Sequence, residues 1–314
     1  MHLDPYIVLG SAIIGLLVGM TGAGGGALMT PMLILLFGVT PSAAISSDLV
    51  AAVVMRPFGA GVHLRAGTVN LRLVRWMVLG SVPAAFLGAY LLHALGNSKS
   101  ATQHIETVLG VALLLGAGAM ALRFLLDRRS GQSRVALVHE IQPRPLATIA
   151  IGIVGGVIVG LTSVGSGSLM IVLLLFVYPT IGANQLVGTD LTQAVPLTLA
   201  AAIGALIFGH VEFSVTGSLI IGSVPAVLVG SMLSSTIPDR YVRPAIAFVI
   251  FASGLKYVGL ETQALGWTLC ALLFAAGAAW LLVTRPWRAW MAPADASELL
   301  GHRKPQELVG DRET

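Results

Sequence analysis

The chain has 314 residues, 56% of them hydrophobic and only 10% charged, with a formal net charge of +4. A soluble domain carries about 25% charged residues, so this composition excludes a self-solvating globule and defines an integral membrane protein. The mean hydropathy of +0.89 agrees, and the pI near 9.6 reflects basic cytoplasmic loops rather than nucleic-acid binding. The apolar runs lack the period-two alternation of a barrel strand, which leaves a helical bundle. A single cysteine, Cys270, excludes a disulfide framework and a cysteine-based metal site, and reads as a small core- or lipid-facing residue. The opening Met1-His2-Leu3-Asp4-Pro5 has no basic residue before its apolar run and makes a poor signal peptide.

In chain order the apolar segments are 6–20, 26–38, 41–64, 75–95, 105–126, 146–162, 168–178, 183–208, 215–235, 241–258 and 264–284. A full span needs about 20 residues. Segments 6–20, 26–38, 146–162 and 168–178 are shorter, and each short pair is joined by a glycine-rich break. Each pair therefore reads as a broken helix or a helical hairpin dipping into the membrane. Unwound backbone at membrane depth is tolerated only where it is buried in protein or lines a cavity.

The two breaks are copies of one another. Gly15, Gly19, Thr21, Gly22, Gly24, Gly25, Gly26 and Met29 align with Gly156, Gly160, Thr162, Ser163, Gly165, Ser166, Gly167 and Met170 at an offset of 141. Further along, Ser47-Asp48-Leu49 aligns with Thr189-Asp190-Leu191 at an offset of 142. Gly67, Val69 and Asn70 then align with Gly209, Val211 and Glu212, and Gly80-Ser81-Val82-Pro83 with Gly222-Ser223-Val224-Pro225. The chain is an internal duplication. Paired interruptions in two halves of a membrane chain are a strong sequence pointer to a binding site.

If each short pair counts as a hairpin, the first half adds three spans, an odd number, and the second copy enters inverted. The charge pattern fits. Arg128, Arg129, Arg134 and Arg144 mark residues 127–145 as a basic cytoplasmic loop. Arg65, Arg72, Arg75, Arg240, Arg243 and the Arg285/Arg288 tail then also lie inside, and the outside keeps only Lys99 and Lys256. The 65–75 turn is basic while its partner 207–217 has no Lys or Arg, as inverted copies require. If each pair were one broken span, the repeats would be parallel and the tail outside. The predicted fold is an all-α polytopic bundle of two inverted repeats, 5–126 and 146–260. An appended span at 264–284 and a polar cytoplasmic tail at 291–314 follow. Trp280, Trp287 and Trp290 resemble an interfacial belt.

Few ionisable residues fall inside the spans, and such groups are functional candidates by default. Asp48 follows Pro41, which reads as the first helical residue after a Thr40 cap; Asp190 is its repeat partner. Both are candidates for proton coupling or gating, with Ser47, Thr189 and Gln193 beside them. Alternatively, each carboxylate bonds the exposed amides at a hairpin joint and locks the fold. Arg56 lies eight residues after Asp48, on roughly the same face. It is a candidate counter-charge for an anion, or else an ion-pair partner of Asp48; its repeat counterpart is Thr198.

Helices starting near Gly26 and Gly167 present free amides and a positive dipole end, where an anion can bind without a charged side chain. Substrate-lining candidates are therefore Thr21, Gly22, Gly24, Gly25, Gly26, Thr162, Ser163, Gly165, Ser166, Gly167 and Ser168, with Arg56. Tight helix packing is the competing use of the glycines. Asn184 and Thr192 are weaker candidates. No Walker A motif is present, the histidines lack metal-ligand spacing, and Gly165-Ser166-Gly167 follows no strand, as a hydrolase elbow would. The expectation is a non-enzyme without cofactor or metal.

On Gly15, Gly19, Gly24-Gly25-Gly26, Pro31, the Asp48 stretch and their repetition from Gly156, the chain resembles the sulfite exporter TauE/SafE family over about residues 5–260. The resemblance implies a bacterial inner-membrane secondary transporter for sulfur oxyanions and organosulfonates such as sulfite, sulfoacetate or thiosulfate, with protons as a coupling ion. Ser163 and Ser166 replace glycines in the second copy, which leaves open whether both joints bind substrate. A passive anion channel or a non-transporting membrane scaffold is the alternative class.

Overall fold

The computed structural model describes residues 3–21, 25–95, 99–129, 143–179, 181–233, 239–261 and 263–268. Met1–Glu261 form one compact unit. Of the second unit, Thr262–Thr314, the described part is a short helix at 263–268. Cys270, the rest of the expected 264–284 span, the three late tryptophans and the 291–314 tail lie outside the described residues, as do 130–142 of the basic loop.

The first unit is all helix in its regular elements: α1 Pro5–Thr21, α2 Gly26–Phe37, α3 Pro41–Arg65, α4 Leu71–Ala94, α5 Lys99–Arg129, α6 Pro145–Thr162, α7 Leu169–Val177, α8 Ala183–Phe208, α9 Phe213–Leu233 and α10 Asp239–Tyr257. Six of these contain apolar stretches long enough to cross a membrane: α3, α4, α5, α6, α8 and α9. Side chains such as Leu36, Leu79, Phe176 and Ile207 are exposed on the outside of the bundle, as a lipid-facing surface demands.

Some boundaries differ from the sequence reading. The Arg65–Arg75 segment is not all turn: α4 begins at Leu71 because the Asn70 side chain accepts the Arg72 and Leu73 amides at 3.1 and 3.2 Å. Arg72 and Arg75 therefore stand in the first turns of α4. Thr40 occupies the N-cap position of α3 with an extended backbone, but its side chain makes no cap hydrogen bond. The 146–162 segment is not short: α6 has 18 residues. Helix α7 starts at Leu169 rather than near Gly167, because Gly165 and Gly167 take φ of 120° and 94°, outside the helical region.

Both short pairs fold back on themselves. The start of α1 (Leu3 to Ile7) and the residues ending α2 (Phe37, Val39) line one cleft of about 580 Å³. In the second pair, Tyr178 after α7 accepts the Arg144 amide at 2.7 Å and lies 2.6 Å from the Thr148 hydroxyl near the start of α6. A straight broken span would hold these ends a membrane thickness apart.

The two halves pack reciprocally. Helix α4 lies on α6 and α9 on α1, while α3 crosses α8 and α5 lies against α10. The crossings use repeat-equivalent glycines. A Cβ on Gly15 would stand 2.8 Å from the Ser223 carbonyl oxygen, and one on Gly156 would stand 2.5 Å from that of Ser81. These glycines bring backbones into contact, the packing role of small residues in membrane bundles.

A larger residue at these crossings must push helices apart, which in packed interiors costs about 1–3 kcal/mol or more. Gly156→Val is expected to lower the thermal midpoint of the detergent-solubilised protein by several degrees. Gly61→Ala, where an added Cβ meets nothing within 4 Å, should leave the midpoint unchanged or raise it. Equal effects of the two would refute the crossing argument.

Candidate functional site

The hairpin joints meet. A Cβ on Gly26, at the start of α2, would overlap Ser163, whose carbonyl carbon and Oγ would both lie 2.8 Å away. Glycine is needed at 26 for this approach. Ser163 itself terminates α6 in the left-handed conformation (φ 58°, ψ −1°) and is the one non-glycine with positive φ among the described residues. Its repeat counterpart is Gly22, the residue that takes this conformation without strain. What the serine adds over glycine is its hydroxyl: Ser163 Oγ donates to Asp48 Oδ2 at 2.7 Å.

Asp48 is only 1% exposed and also accepts from Thr30 Oγ1 at 3.0 Å. A carboxylate on α3 thus joins α2 to the tip of the other repeat's hairpin. Both of these bonds come from hydroxyls. Asp190, equally buried, sits differently. Gln193 Nε2 donates to its Oδ1 at 3.3 Å, and the same amide's Oε1 accepts from Ser81 on α4 at 3.2 Å. Thr30 and Gln193 align with the apolar Ile171 and Ala51, so the two carboxylates keep equivalent positions with different partners.

Arg56 lies one residue before Pro57 on α3 and is 9% exposed. Among the described residues neither Nη1 nor Nη2 meets a hydrogen-bond acceptor. Its charge interacts with both Asp48 and Asp190, whose hydrogen bonds named above come from hydroxyls and an amide. Among the described residues Nη1 and Nη2 make no hydrogen bond to Asp48, and the ion pair named as the alternative rests on charge alone. Met55, the preceding residue, lies 3.6 Å from where a Cβ of Gly25 would be, which sets this stretch of α3 beside the first joint.

Ser47 and Thr189 do something the sequence did not announce. The Glu212 amide donates to Ser47 Oγ at 3.1 Å, and the Asn70 amide donates to Thr189 Oγ1 at 3.0 Å. Each third helix of a repeat thereby holds the entry of the other repeat's fourth helix, through repeat-equivalent atoms. The signal was present in the alignment of Asn70 with Glu212, but only the fold pairs it with Ser47 and Thr189.

Other candidates are placed less centrally. Thr162 spends its hydroxyl on the end of its own helix, donating to the Ile158 carbonyl at 2.6 Å and accepting the Val164 amide at 3.2 Å. Ser166 is buried, and Ser168 faces Gly116 of α5. Thr192 bonds the Gly188 carbonyl at 2.7 Å. Gly22, Gly24 and the side chains of Thr21 and Asn184 lie outside the described residues. Among the described residues no cluster of His, Cys, Asp and Glu could hold a metal ion.

A polytopic helical bundle with two fold-back hairpins whose joints meet beside buried charge is a multi-pass membrane protein. The chain belongs to the sulfite exporter TauE/SafE family, whose model matches residues 7–257. It is 40% identical over 253 residues to the probable membrane transporter protein YjnA of Bacillus subtilis, covering 80% of this chain and 98% of that one. It is 23% identical over 209 residues to the probable membrane transporter protein YdhB of the same organism, covering 66% and 80%. No solved structure matches.

The strained hydroxyl donor gives a test. A hydrogen bond to a charged group is worth about 1.5–3 kcal/mol, and left-handed backbone costs a non-glycine residue about 1–2 kcal/mol. Ser163→Ala is expected to destabilise the solubilised protein by the first amount. Ser163→Gly should recover about 1 kcal/mol relative to the alanine variant. Chemical unfolding in mixed micelles reads both, and identical midpoints for the two variants would contradict the strain argument.

Proposed function

We propose that the protein is a secondary transporter of small sulfur-containing oxyanions or organosulfonates, sulfite-like in chemistry, with protons as the coupling ion. The observation that carries this reading is Arg56: a buried guanidinium with two nitrogens that have no hydrogen-bond partner among the described residues, on the helix that Asp48 fastens to the meeting hairpin joints. Buried charge inside a bilayer is expensive and is kept where a pathway needs it. The anion is held by Arg56 with the amides and hydroxyls of the joints, Gly24 to Gly26 and Gly165 to Ser168. Family membership supports transport, and the Bacillus relatives are named as membrane transporters.

Asp48 on α3 and Asp190 on α8 are the proton carriers in this scheme; a proton moving with an anion cancels charge in the low-dielectric core. Ser47 and Thr189, which hold opposite repeats, serve as the gating contacts. The repeats are read as inverted. A hairpin that returns to its own side plus three further helices makes an odd number of crossings, and the Lys and Arg bias then places the C-terminal tail in the cytoplasm. The membrane is the bacterial inner membrane.

Labelled sulfite should accumulate in proteoliposomes against its own gradient when a pH gradient is imposed. A passive channel would only equilibrate it, and a scaffold would not move it. Accumulation should vanish in the Asp48→Asn/Asp190→Asn double variant; undiminished gradient-driven uptake there would remove the carboxylates from coupling. Orientation is checked separately by a cysteine at position 210 in a Cys270→Ser background. It should react with a membrane-impermeant maleimide from the periplasmic face, and reaction from the cytoplasmic face alone would defeat the inverted reading.

A further inference from the structure

We propose that the Arg56 site takes a single, singly charged oxyanion that presents two oxygens side by side, and that it discriminates against dianions. This deepens the transport reading above and rests on it. Among the described residues only three charged side chains are buried: Asp48, Arg56 and Asp190. One cation therefore faces the ligand, and the three groups together sum to −1 when both carboxylates are ionised.

The carboxylates balance the guanidinium without filling its fork. Asp48 takes its hydrogen bonds from Thr30 and Ser163, and Asp190 takes one from Gln193. Arg56 Nη1 and Nη2 stay unpartnered among the described residues. Two adjacent guanidinium nitrogens match two oxygens of one sulfonate, hydrogensulfite or carboxylate group in parallel hydrogen bonds. A halide offers a single point and gains no such geometry.

The duplication does not supply a second fork. Thr198, the counterpart of Arg56, donates its hydroxyl to the Ala194 carbonyl at 2.6 Å and lies 3.1 Å from that of Val195. One cation therefore serves one anion. A monoanion pairs with Arg56 and leaves the two carboxylates as the uncompensated charge. A dianion adds one more negative charge beside them, in an interior where Coulomb terms are weakly screened. The positive dipole end of α2 acts on either ligand alike, so the order of preference is set by the ligand's own charge.

The test uses the full-length protein with methanesulfonate as the monoanionic probe, sulfate as the dianionic one, and chloride, all at matched ionic strength. Thermal stabilisation in detergent and inhibition of sulfite uptake in proteoliposomes are both read. Methanesulfonate is expected to act at concentrations at least about tenfold below sulfate, with chloride inactive. Arg56→Lys keeps the charge and removes the fork; it should weaken the methanesulfonate effect by about tenfold or more. Its unliganded melting point serves as the folding check, and the wild-type comparison stands even if that variant fails to fold. Sulfate acting as well as methanesulfonate, or neither acting while sulfite is still transported, overturns this inference and leaves the transport reading intact. Absence of sulfite uptake, together with no stabilisation by any of the three anions, brings down the transport reading and this inference with it.

Discussion

Backbone that leaves a helix inside a bilayer must find its hydrogen-bond partners in protein, because hydrocarbon offers none. The chain breaks twice within its apolar segments, at the α1–α2 and α6–α7 joints, and it meets the constraint by burying the joints against each other. Gly26 has no side chain so that Ser163 can approach it, and Ser163 accepts backbone strain so that its hydroxyl can reach Asp48. Met170 bonds back to the Gly165 carbonyl at 3.2 Å, and the Val164 amide reaches Thr162 Oγ1. Position 48 follows from the same demand: a carboxylate there can take hydroxyls from one joint and from the helix leaving the other. The charged interior and the broken helices are thus one feature.

Packing and chemistry treat the duplication differently. At the helix crossings the two copies are nearly interchangeable: Gly15 on Ser223 mirrors Gly156 on Ser81, and Ser47 on Glu212 mirrors Thr189 on Asn70. In the interior they diverge, with Thr30 against Ile171, Arg56 against Thr198 and Ala51 against Gln193. A scaffold held by backbone-to-glycine contacts and hydroxyl-to-amide bonds needs no particular charge, so it can stay symmetric. On the transport reading, one small ligand between the copies would touch each from a different side, so its counter-charge, Arg56, need appear only once.

Much of this was legible in the sequence because lipid simplifies the code. Hydropathy and length located ten helices, nine of them to within about four residues and α5 with its start six residues early, and glycine spacing located both joints. Where boundaries slipped, local chemistry overrode hydropathy: Asn70 capped α4 early, and positive φ at Gly165 and Gly167 delayed α7. Asp48, Asp190 and Arg56 stood out simply as charges in apolar runs. Their partners did not. Ser163 reaching Asp48 spans 115 residues, and Glu212 reaching Ser47 spans 165; no local pattern encodes such pairs, although the repeat alignment limits them. Thr162 and Thr192 show the opposite error, since a hydroxyl near a joint is as readily spent on its own helix.

The two hydroxyl-to-amide contacts are chemically near-equal, and this bears on how the bundle can move. A neutral hydrogen bond of this kind contributes about 1 kcal/mol net, so opening one contact while keeping the other is nearly offset by the reverse exchange. Neither contact is then strongly favoured over the other by its own energy. The bias must come from the interior, where the copies differ. A change of charge at Asp48 alters the tie between α3 and the second joint at Ser163, and it does so without touching the symmetric crossings. A symmetric frame with an asymmetric core is, on the transport reading, a physical route by which ligand and proton can choose between two otherwise balanced states.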